Sequence, residues 1–507
     1  MLNFFKTKQM HADYSINAME ADTILKNGRN PKRLMSRGKQ LKIKNYELKI
    51  LTLLVAMLFS VASAFAQGGE TGPLTWNISG NTLTISGDGA MPDYNLSDNK
   101  APWNDYYYSI KTVIMENGVK SIGNYAFFSY SMLTSVTIPD GINKIGDFAF
   151  GFCTSLPSIL IPNSVTTIGM SAFNACQKLI SITIPESVIT IGNVAFFLCT
   201  SLTSIDVDSG NNNYASENGV LFDKNKTTLI CYPAGKTDNT YDIFNSVTSI
   251  VFNAFAFCHL SSITIPNSVT TIGALAFYRC ESMVTINVDS ENNNYASENG
   301  VLFNKNKTTL ICCPAGKTEK CVIPNSVKSI EVGAFDYCKN LTSVTIPNSA
   351  TSIGGYAFRS CENLILITNF NPNPVEIDQN VFEGMDKSKC TLEVPMNSVS
   401  KYKNADVWKE FNIVGIEVGI ETIESDVVKI YPNPTNGQLI IENGQWTIEN
   451  IEIFDVMGKS AAIVETWRAA SLRQPTTTID ISHLPSGIYF VRIQTENGMV
   501  TRKIIKK

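Results

Sequence analysis

The amino-acid sequence predicts a mainly β protein, in which a solenoid of 23-residue repeats with a parallel sheet and β-hairpin insertions is followed by a small C-terminal β-sandwich. Three observations support this fold class. The unit LISITIPESVITIGNVAFFLC, which starts at Leu179, recurs every 23 residues. Two segments that interrupt this rhythm are near copies of each other, 81 residues apart. The stretch 428–507 instead contains short alternating strands separated by turn signals.

Residues 1–66 are predicted to be a leader and signal peptide. The apolar run from Leu51 to Ala66 follows a basic stretch and ends in the small-x-small triplet Ala64-Phe65-Ala66, which is the order of a secretory signal. The run is shorter than the roughly 20 residues that span a bilayer, so a membrane helix is the weaker alternative. We expect the mature chain to begin near Gln67 and to carry no transmembrane segment, with Met35 an alternative start.

Each repeat alternates its side chains as a strand does and then turns back. In the unit quoted above, Ile182 and Ile184 face inward, and Pro185 ends the strand because proline has no N–H for a sheet ladder. An Ile-Gly step follows in most repeats, and Ile250 and Ile330 keep the register without the glycine, which gives eight coils. Stacked coils share one core, so we expect a single parallel sheet and an internal aromatic column of Phe127, Phe150, Phe173, Phe196, Phe255, Phe277, Phe335 and Phe358.

The two near copies predict β-hairpin insertions that broaden the solenoid. They read NNNYASENGVLFDKNKTTLICYPAGKT, from Asn211 to Thr237, and NNNYASENGVLFNKNKTTLICCPAGKT. In each, GVLF and TTLIC flank a polar Lys-Asn turn. The predicted organisation is a leader at 1–66, an N-terminal β cap at 67–120, a solenoid at 121–366 with insertions at 208–244 and 289–323, a C-terminal cap at 367–416, a linker at 417–427 and the sandwich at 428–507.

The pattern IPxSVxxIGxxAFxxCxxLxxI, almost unaltered from Thr137 to Ile205, resembles the BspA-like class of leucine-rich-repeat surface proteins. The resemblance extends from about Leu74 to Ile416 and implies a leucine-rich-repeat solenoid that acts in adhesion to host extracellular proteins or to other bacteria.

The tail motifs VKIYPNPTNGQLII, IEIFDVMGK and LPSGIYFVRIQTENGMVTRKIIKK are similar to the type A sorting domain of the type IX secretion system. This likeness implies passage across the outer membrane, followed by removal of the tail or attachment to the cell surface. The alternative is that the terminal charges only protect an exposed edge strand from aggregation. The residues proposed as the sorting signal are Gly487, Tyr489, Arg502, Lys503, Lys506 and Lys507.

Seven cysteines share one offset of the repeat and are predicted to stack in a column. Export makes disulfides or a thiolate metal site an alternative, but CxxC pairs are absent, so we favour a ladder of small buried apolar side chains. Outside the column, Cys313 with Cys321 is the first pair to test for a disulfide. The column consists of Cys153, Cys176, Cys199, Cys258, Cys280, Cys338 and Cys361.

Composition and motifs argue against catalysis. The net charge of −4 leaves no broad basic surface for nucleic acid, and the chain contains only three histidines. No G-x-S-x-G elbow, Walker A loop, HExxH or dinucleotide motif occurs, so we expect no enzyme and no cofactor. Two alternatives stay open: distant carboxylates of a glycosidase type, and calcium at the Asx-rich stretches beginning at Asp206 and Asp289, although such stretches are ordinary turn formers.

The outward strand positions form a hydroxyl-rich face, which is the candidate binding surface. Serine and threonine are also common on any solvated strand, so this face has a structural explanation as well. Nearby aromatics, Trp103 and Tyr106 to Tyr108, could anchor a contact or belong to the cap core. We expect an exported, surface-attached or secreted binding protein for an extracellular protein or glycan; the alternative is a passive component of the envelope or biofilm matrix. The candidate residues are Ser135, Thr137, Ser158, Ser181, Thr183, Ser204, Ser262, Thr264, Ser343 and Thr345.

Overall fold

The computed structural model describes residues 67–416, 429–442, 448–455, 460–464, 476–495 and 498–507. The predicted leader and linker lie outside the described residues. The described residues divide into two compact units, 67–392 with 404–412, and 393–403 with 413–416 and the described residues of 429–507. Within the described ranges, no helix has the length and hydropathy needed to cross a membrane.

The N-terminal segment is a β meander that leads directly into the coils. Its strands are β1 (Gln67–Thr71), β2 (Leu74–Ser79), β3 (Thr82–Gly87), β4 (Gly89–Ala90), β5 (Thr112–Met115), β6 (Val119–Ile122) and β7 (Ser135–Thr137). Strands β1, β2 and β3 pair antiparallel, whereas β3 pairs parallel with β5 and β5 with β7. The change to parallel pairing marks the start of the solenoid.

Each regular coil contributes to two parallel sheets. The next strands are β8 (Lys144–Ile145), β9 (Thr167–Ile168), β10 (Ser181–Ile184), β11 (Thr190–Ile191) and β12 (Ser204–Val207). The two-residue strands β8, β9 and β11 each end in an isoleucine, and they form a sheet with the earlier strands β6 and β4 in the order β11-β9-β8-β6-β4. The longer strands β10 and β12 pair on another side of the coil, with Ser181 opposite Ser204. The 23-residue offset between paired residues confirms the solenoid predicted from the period.

The two insertions each form a three-stranded antiparallel unit whose last strand joins the solenoid. The strands through both copies are β13 (Tyr214–Glu217), β14 (Val220–Asp223), β15 (Thr228–Cys231), β16 (Thr240–Asp242), β17 (Ser249–Ile250), β18 (Ser262–Ile265), β19 (Thr271–Ile272), β20 (Thr285–Val288), β21 (Tyr295–Glu298), β22 (Val301–Asn304), β23 (Thr309–Cys312), β24 (Glu319–Val322), β25 (Ser329–Ile330), β26 (Leu341–Ile346), β27 (Ser352–Ile353) and β28 (Leu366–Asn369). Strands β14 and β15 form the predicted hairpin, and β15 then pairs parallel with β17. The second copy repeats this with β22, β23 and β25.

The prediction of one continuous parallel sheet is wrong, because the long-strand side is divided into blocks. These are the sheet ending in β7, the pair β10-β12, the sheet β16-β18-β20, and the sheet that begins β24-β26-β28. The first break lies at residues 156–161, where Pro157 has no N–H to donate. The next two lie at the insertions, where the N–H groups of Ile205 and Ile286 bond to Gly219 and Gly300, at 2.9 and 3.0 Å, instead of to a neighbouring coil.

A third side of each coil is an outer loop, which runs from the Ile-Gly step to the column cysteine. The loops stack through backbone bonds such as Ser171 N to Asn193 O at 3.1 Å and Phe173 N to Ala195 O at 2.9 Å. The stacking explains the glycine, because a Cβ on Gly192 would lie 2.3 Å from the backbone nitrogen of Met170 in the preceding loop. The residue after the isoleucine is therefore glycine because the preceding outer loop approaches too closely to leave room for a side chain.

The predicted aromatic column is present in the core as three stacked runs, from Phe127 to Phe196, from Tyr232 to Phe277 and from Phe335 to Phe382. The rings of Phe150, Phe173 and Phe196 stack at 5.7 and 5.9 Å, with interplanar angles of 3°. Trp103 of the N-terminal segment stacks on Phe127 at 5.9 Å and is fully buried. Trp103 therefore belongs to the cap core, the second of the two roles considered for it, and it starts the column.

The C-terminal segment of the solenoid contains β29 (Thr391–Pro395), the helix α1 (Val399–Asn404), β30 (Asn412–Ile416) and 3-10 turns at Gln379–Phe382, Lys387–Lys389, Met396–Ser398 and Trp408–Glu410; a further turn lies at Asn104–Tyr106. Phe382 stacks on Phe358 at 5.3 Å and meets Trp408 edge-on at 5.5 Å. These large rings cover the last coil of the core.

The C-terminal β domain, from residue 429 to residue 507, contains two sheets, as predicted for a sandwich. Its strands are β31 (Lys429–Tyr431), β32 (Gln438–Glu442), β33 (Ile448–Asp455), β34 (Ser460–Val464), β35 (Thr476–Asp480), β36 (Gly487–Thr495) and β37 (Gly498–Lys506). The sheets have the orders β31-β32-β35 and β34-β33-β36-β37. Leu439 and Ile479 from the first sheet and Ile453 and Val491 from the second share one buried cluster.

Candidate binding surface on the strand face

The outward side of the long strands, here called the strand face, follows from simple alternation. In β10, Ile182 and Ile184 are buried while Ser181 and Thr183 are exposed. The register places Thr183 opposite Asp206 of β12. Because strand side chains alternate with a period of two, the apolar positions that build the core oblige their neighbours to face solvent.

The structure divides the predicted surface residues into two groups. Ser135, Thr137, Ser158, Ser181 and Thr183 are exposed, and all five precede the first insertion. The other five are half-buried. In this second group, Ser204 already bonds to Asp206 at 2.7 Å. The accessible part of the strand face is therefore its N-terminal half. The half-buried members are Ser204, Ser262, Thr264, Ser343 and Thr345.

Apolar side chains interrupt this accessible half. Leu160 is 78% exposed and Ile180 is 55% exposed. Leu160 and Thr137 line a shallow depression of about 720 Å³ together with Met115 and Asp140. The surface thus combines hydroxyl groups, which both donate and accept hydrogen bonds, with apolar side chains that gain from being covered.

Another set of repeat hydroxyls is structural, and the sequence reasoning missed it. Ser187 of the P-x-S-V motif donates its hydroxyl proton to the Val165 carbonyl of the preceding coil at 2.7 Å. Thr203 does the same to the Ile180 carbonyl at 3.1 Å. The recurrence of S in P-x-S-V was the available signal, since a purely solvated position would not need a hydroxyl in each repeat. The equivalent serine bonds are made by Ser164, Ser246, Ser268, Ser326 and Ser349.

The Asx-rich stretches build turns. Asn211 is fully buried, donates from Nδ2 to the carbonyls of Pro185 and Val188 at 2.7 and 3.0 Å, and accepts the Tyr214 N–H at Oδ1 at 2.9 Å. Asn292 repeats these contacts in the second copy. The amide is saturated by backbone partners, which is the turn-forming role. No metal-holding group of three or more His, Cys, Asp or Glu side chains occurs within the described parts of the chain.

The column cysteines are buried free thiols; most donate to a backbone carbonyl, whereas Cys258 donates to Cys280 Sγ at 3.2 Å. Cys199 donates from Sγ to the Phe173 carbonyl at 3.0 Å, and Cys280 to the Phe255 carbonyl at 3.0 Å. Burial raises the pKa of the Cys153 thiol well above its ordinary value. These contacts agree with a structural ladder. Cys313 and Cys321 are both buried free thiols, and the interaction between their side chains raises the pKa of Cys321.

The proposed sorting residues lie on the hairpin of β36 and β37. Lys503 and Lys507 are exposed, whereas Tyr489 and Lys506 are 7% and 9% exposed. Gly487 and Arg502 are half-buried. The outer edge of β37 is partly covered, because Asn433 Nδ2 donates to the Lys503 carbonyl at 2.8 Å. Further bonds from Thr435 N to Ile505 O and from Lys507 N to Thr435 O, at 2.8 and 2.9 Å, extend this cover, so charges are not its sole protection.

Stacked coils with a buried phenylalanine column, followed by a two-sheet tail, define a leucine-rich-repeat solenoid protein with a small appended β domain. The chain belongs to the BspA type leucine rich repeat family, whose model matches residues 105–223, 236–316 and 312–427. A second model, the secretion system C-terminal sorting domain, matches residues 429–507. The tail therefore implies handling by type IX secretion machinery, export, and a surface or secreted location.

Solved structures of similar chains are leucine-rich-repeat proteins of bacteria. One from Eubacterium ventriosum is 27% identical, with a TM-score of 0.46 over 64% of this chain and 95% of that one. A leucine rich cell surface protein from Faecalibacterium prausnitzii is 25% identical, with a TM-score of 0.41 over 71% of this chain and 97% of that one. The search of curated proteins found no match.

Proposed function

We propose that this exported protein is an adhesin, and that the N-terminal half of its strand face contacts a host extracellular protein, a glycan or another bacterium. The observation that carries the proposal is the combination of exposed Thr137, Ser181 and Thr183 with exposed Leu160 and Ile180 on one side of a rigid stack. Repeat families of this kind typically bind partners and perform no catalysis.

The chemistry of this surface favours a neutral partner. Hydroxyl groups cost less to desolvate than charged groups and form directional hydrogen bonds, while covering Leu160 and Ile180 supplies a hydrophobic gain. Solenoids expose such surfaces because each coil contacts only its neighbours, which leaves a long side free. A glycan, or a protein patch rich in hydroxyl and amide groups, matches this composition.

Binding to an array of extracellular proteins and glycans tests the proposal. We expect saturable binding of the purified protein to at least one defined ligand, and at least a tenfold loss of affinity for Thr183→Arg. Thr190→Arg is the matched control, because Thr190 is an exposed threonine of the same coil that lies in the other sheet. If no ligand binds saturably, a passive structural role in the envelope or biofilm matrix is favoured instead. Equal behaviour of the two variants would move the site away from the strand face.

A further inference from the structure

The first insertion interrupts the stack of outer loops. In a regular coil, four residues separate the core isoleucine from the column phenylalanine, as between Ile191 and Phe196, but the insertion coil passes from Leu229 to Tyr232 with two. It then turns back, and Gly235 N bonds to Leu202 O at 2.8 Å. The insertion coil therefore has no outer loop of its own, and the regular loops on either side face each other across the space that one would fill.

A cavity of about 320 Å³ occupies this position. Its walls include Phe196 and Phe197 from one loop and Phe252 from the other, with Ile230 of the insertion between them. No charged side chain lines it. Cavities of this size with apolar and aromatic walls are typical of small-molecule sites.

The Tyr214 hydroxyl in the wall has hydrogen-bonding capacity to spare. The Tyr214 hydroxyl accepts the Ile191 N–H at 2.8 Å, and no described residue accepts its own proton. In the second copy, the Tyr295 hydroxyl accepts the Ile272 N–H at 2.9 Å and also donates to the Thr270 carbonyl at 3.4 Å. The two tyrosines therefore share a structural role, and only Tyr214 combines it with a free donor at the cavity.

The second copy shows how the same gap looks when it is filled. The cavity there measures about 30 Å³. Leu275 stands where the first copy has Val194, and it occupies the gap so closely that a Cβ on Gly333 would lie 2.4 Å from Leu275 Cδ2. The first copy has Asn253 where Gly333 stands. The open cavity of the first copy therefore results from Val194 and Asn253, and an insertion does not by itself require such a cavity.

Asn253 also departs from what stability alone would select. Its side chain is 7% exposed, its φ is 58°, and neither its amide nitrogen nor its amide oxygen has a partner among the described residues. An unpaired buried amide destabilises the fold, and Gly333 shows that the position accepts a glycine. Sites that retain such groups are candidates for function.

We propose that this cavity binds a neutral two-ring aromatic molecule that carries a carbonyl or ether oxygen. The rings pack against Phe196, Phe197 and Phe252, and the oxygen accepts the proton of the Tyr214 hydroxyl. The absence of charge from the lining excludes ionic ligands as the preferred class. This site is separate from the strand face, so it does not depend on the proposed adhesin function.

Benzophenone is a suitable probe, because it has two rings and one carbonyl oxygen and forms covalent cross-links under ultraviolet light. We expect saturable binding to the purified full chain, with cross-links to peptides covering residues 191–197 or 251–256. Diphenylmethane, which has the same rings without the oxygen, should bind about fivefold more weakly, the loss expected for one hydrogen bond. Absence of saturable binding, or cross-links confined to other peptides, would overturn the proposal.

Matched variants separate the ligand contact from the fold. Tyr214→Phe should lower benzophenone affinity about fivefold, to that of diphenylmethane, whereas Tyr295→Phe, which removes the equivalent structural bond, should leave it unchanged. Val194→Leu combined with Asn253→Gly rebuilds the second copy and should abolish binding of both probes, with circular dichroism confirming that the variant is folded. Equal effects of the two tyrosine variants would also reject the assignment.

Discussion

At the scale of single residues, a buried ion pair joins two neighbouring coils. Arg359 donates from Nε to Asp336 Oδ1 at 2.9 Å and from Nη2 to both Asp336 Oδ2 and the Tyr278 hydroxyl. Both charged side chains are almost fully buried, at 6% and 3% exposed. Burial raises the pKa of Asp336 to about 6, opposed by the bonds from Arg359.

Breaking this pair from one side should be more harmful than removing it. Asp336→Ala leaves the Arg359 charge buried without its partner, so we expect a loss of about 3–5 kcal/mol in the free energy of unfolding, measured by urea denaturation. The double variant Asp336→Leu with Arg359→Met should lose much less, because no charge remains in the apolar environment. A double variant as unstable as the single one would show that the pair itself stabilises the fold.

A second residue-scale prediction concerns Cys313 and Cys321. The interaction between their side chains, together with burial, raises the pKa of Cys321 well above its usual value. In the first copy Tyr232 and Tyr241 stand at these positions, so the thiol pair is particular to the second insertion. Export places the chain in an oxidising environment.

We therefore predict that the exported protein contains a Cys313–Cys321 disulfide. Two thiols lose two protons and two electrons to a disulfide-bearing thiol oxidase, so the mass falls by about 2 Da. Intact-mass measurement and peptide mapping without reduction check this. Cys313→Ser should abolish the linkage, and Cys312→Ser, at the adjacent half-buried cysteine, should not. Recovery of both cysteines as alkylated thiols from unreduced protein would contradict the prediction.

At the scale of the repeat element, two serine positions that look alike in the sequence have different roles. Ser187 bonds to the preceding coil, while Ser181 projects from the strand face. Ser187→Ala should therefore lower the free energy of unfolding by about 1 kcal/mol, the typical value of one hydrogen bond. Ser181→Ala is the control and should change it by less than about 0.5 kcal/mol. Thermal or urea unfolding of both variants measures the difference, and equal losses would argue against the inter-coil bond as the reason for the repeated serine.

The element scale also explains why part of the candidate surface is half-buried. Alternation correctly predicts that Ser262 and Thr264 point away from the core, but their strand β18 has β16 on one side and β20 on the other. Neighbouring side chains leave them half-buried. A periodic pattern reports the direction of a side chain, whereas its exposure depends on what stands beside it.

A sequence signal for the cavity was nevertheless available. The Ile-Gly step loses its glycine at Val251 and Glu331, the two coils that follow an insertion. Glycine is needed only where an outer loop precedes, as at Gly192, whose Cβ would lie 2.3 Å from Met170 N. The missing glycine therefore marks the coils whose preceding loop is absent.

At the scale of the whole molecule, the tail and the solenoid have separate tasks. Deleting residues 429–507 should prevent delivery to the cell surface or medium, because this segment is the sorting domain.

We further predict that Lys503→Glu with Lys507→Glu reduces delivery, since both side chains are exposed on the terminal hairpin. Lys429→Glu, at an exposed lysine of the other sheet, is the control. Immunoblots of surface and medium fractions from a host with type IX secretion measure the delivery of each variant. If the double variant is delivered as well as the unaltered protein, the two lysines serve only to protect the edge strand from aggregation.

The sequence by itself determined the solenoid, the phenylalanine and cysteine columns, the insertion hairpins and the sandwich tail. These features follow from residue types that recur at fixed positions in each repeat. Because the pattern is contained within one repeat, reading it once predicts the structure of every regular coil. Only the tertiary structure decided where the long-strand sheet breaks, which hydroxyls stay accessible, and that the gap beside Val194 is open while the one beside Leu275 is filled. These features depend on the contacts that a coil makes with an adjacent insertion or cap. The 23-residue period describes only regular coils, so it does not predict those contacts.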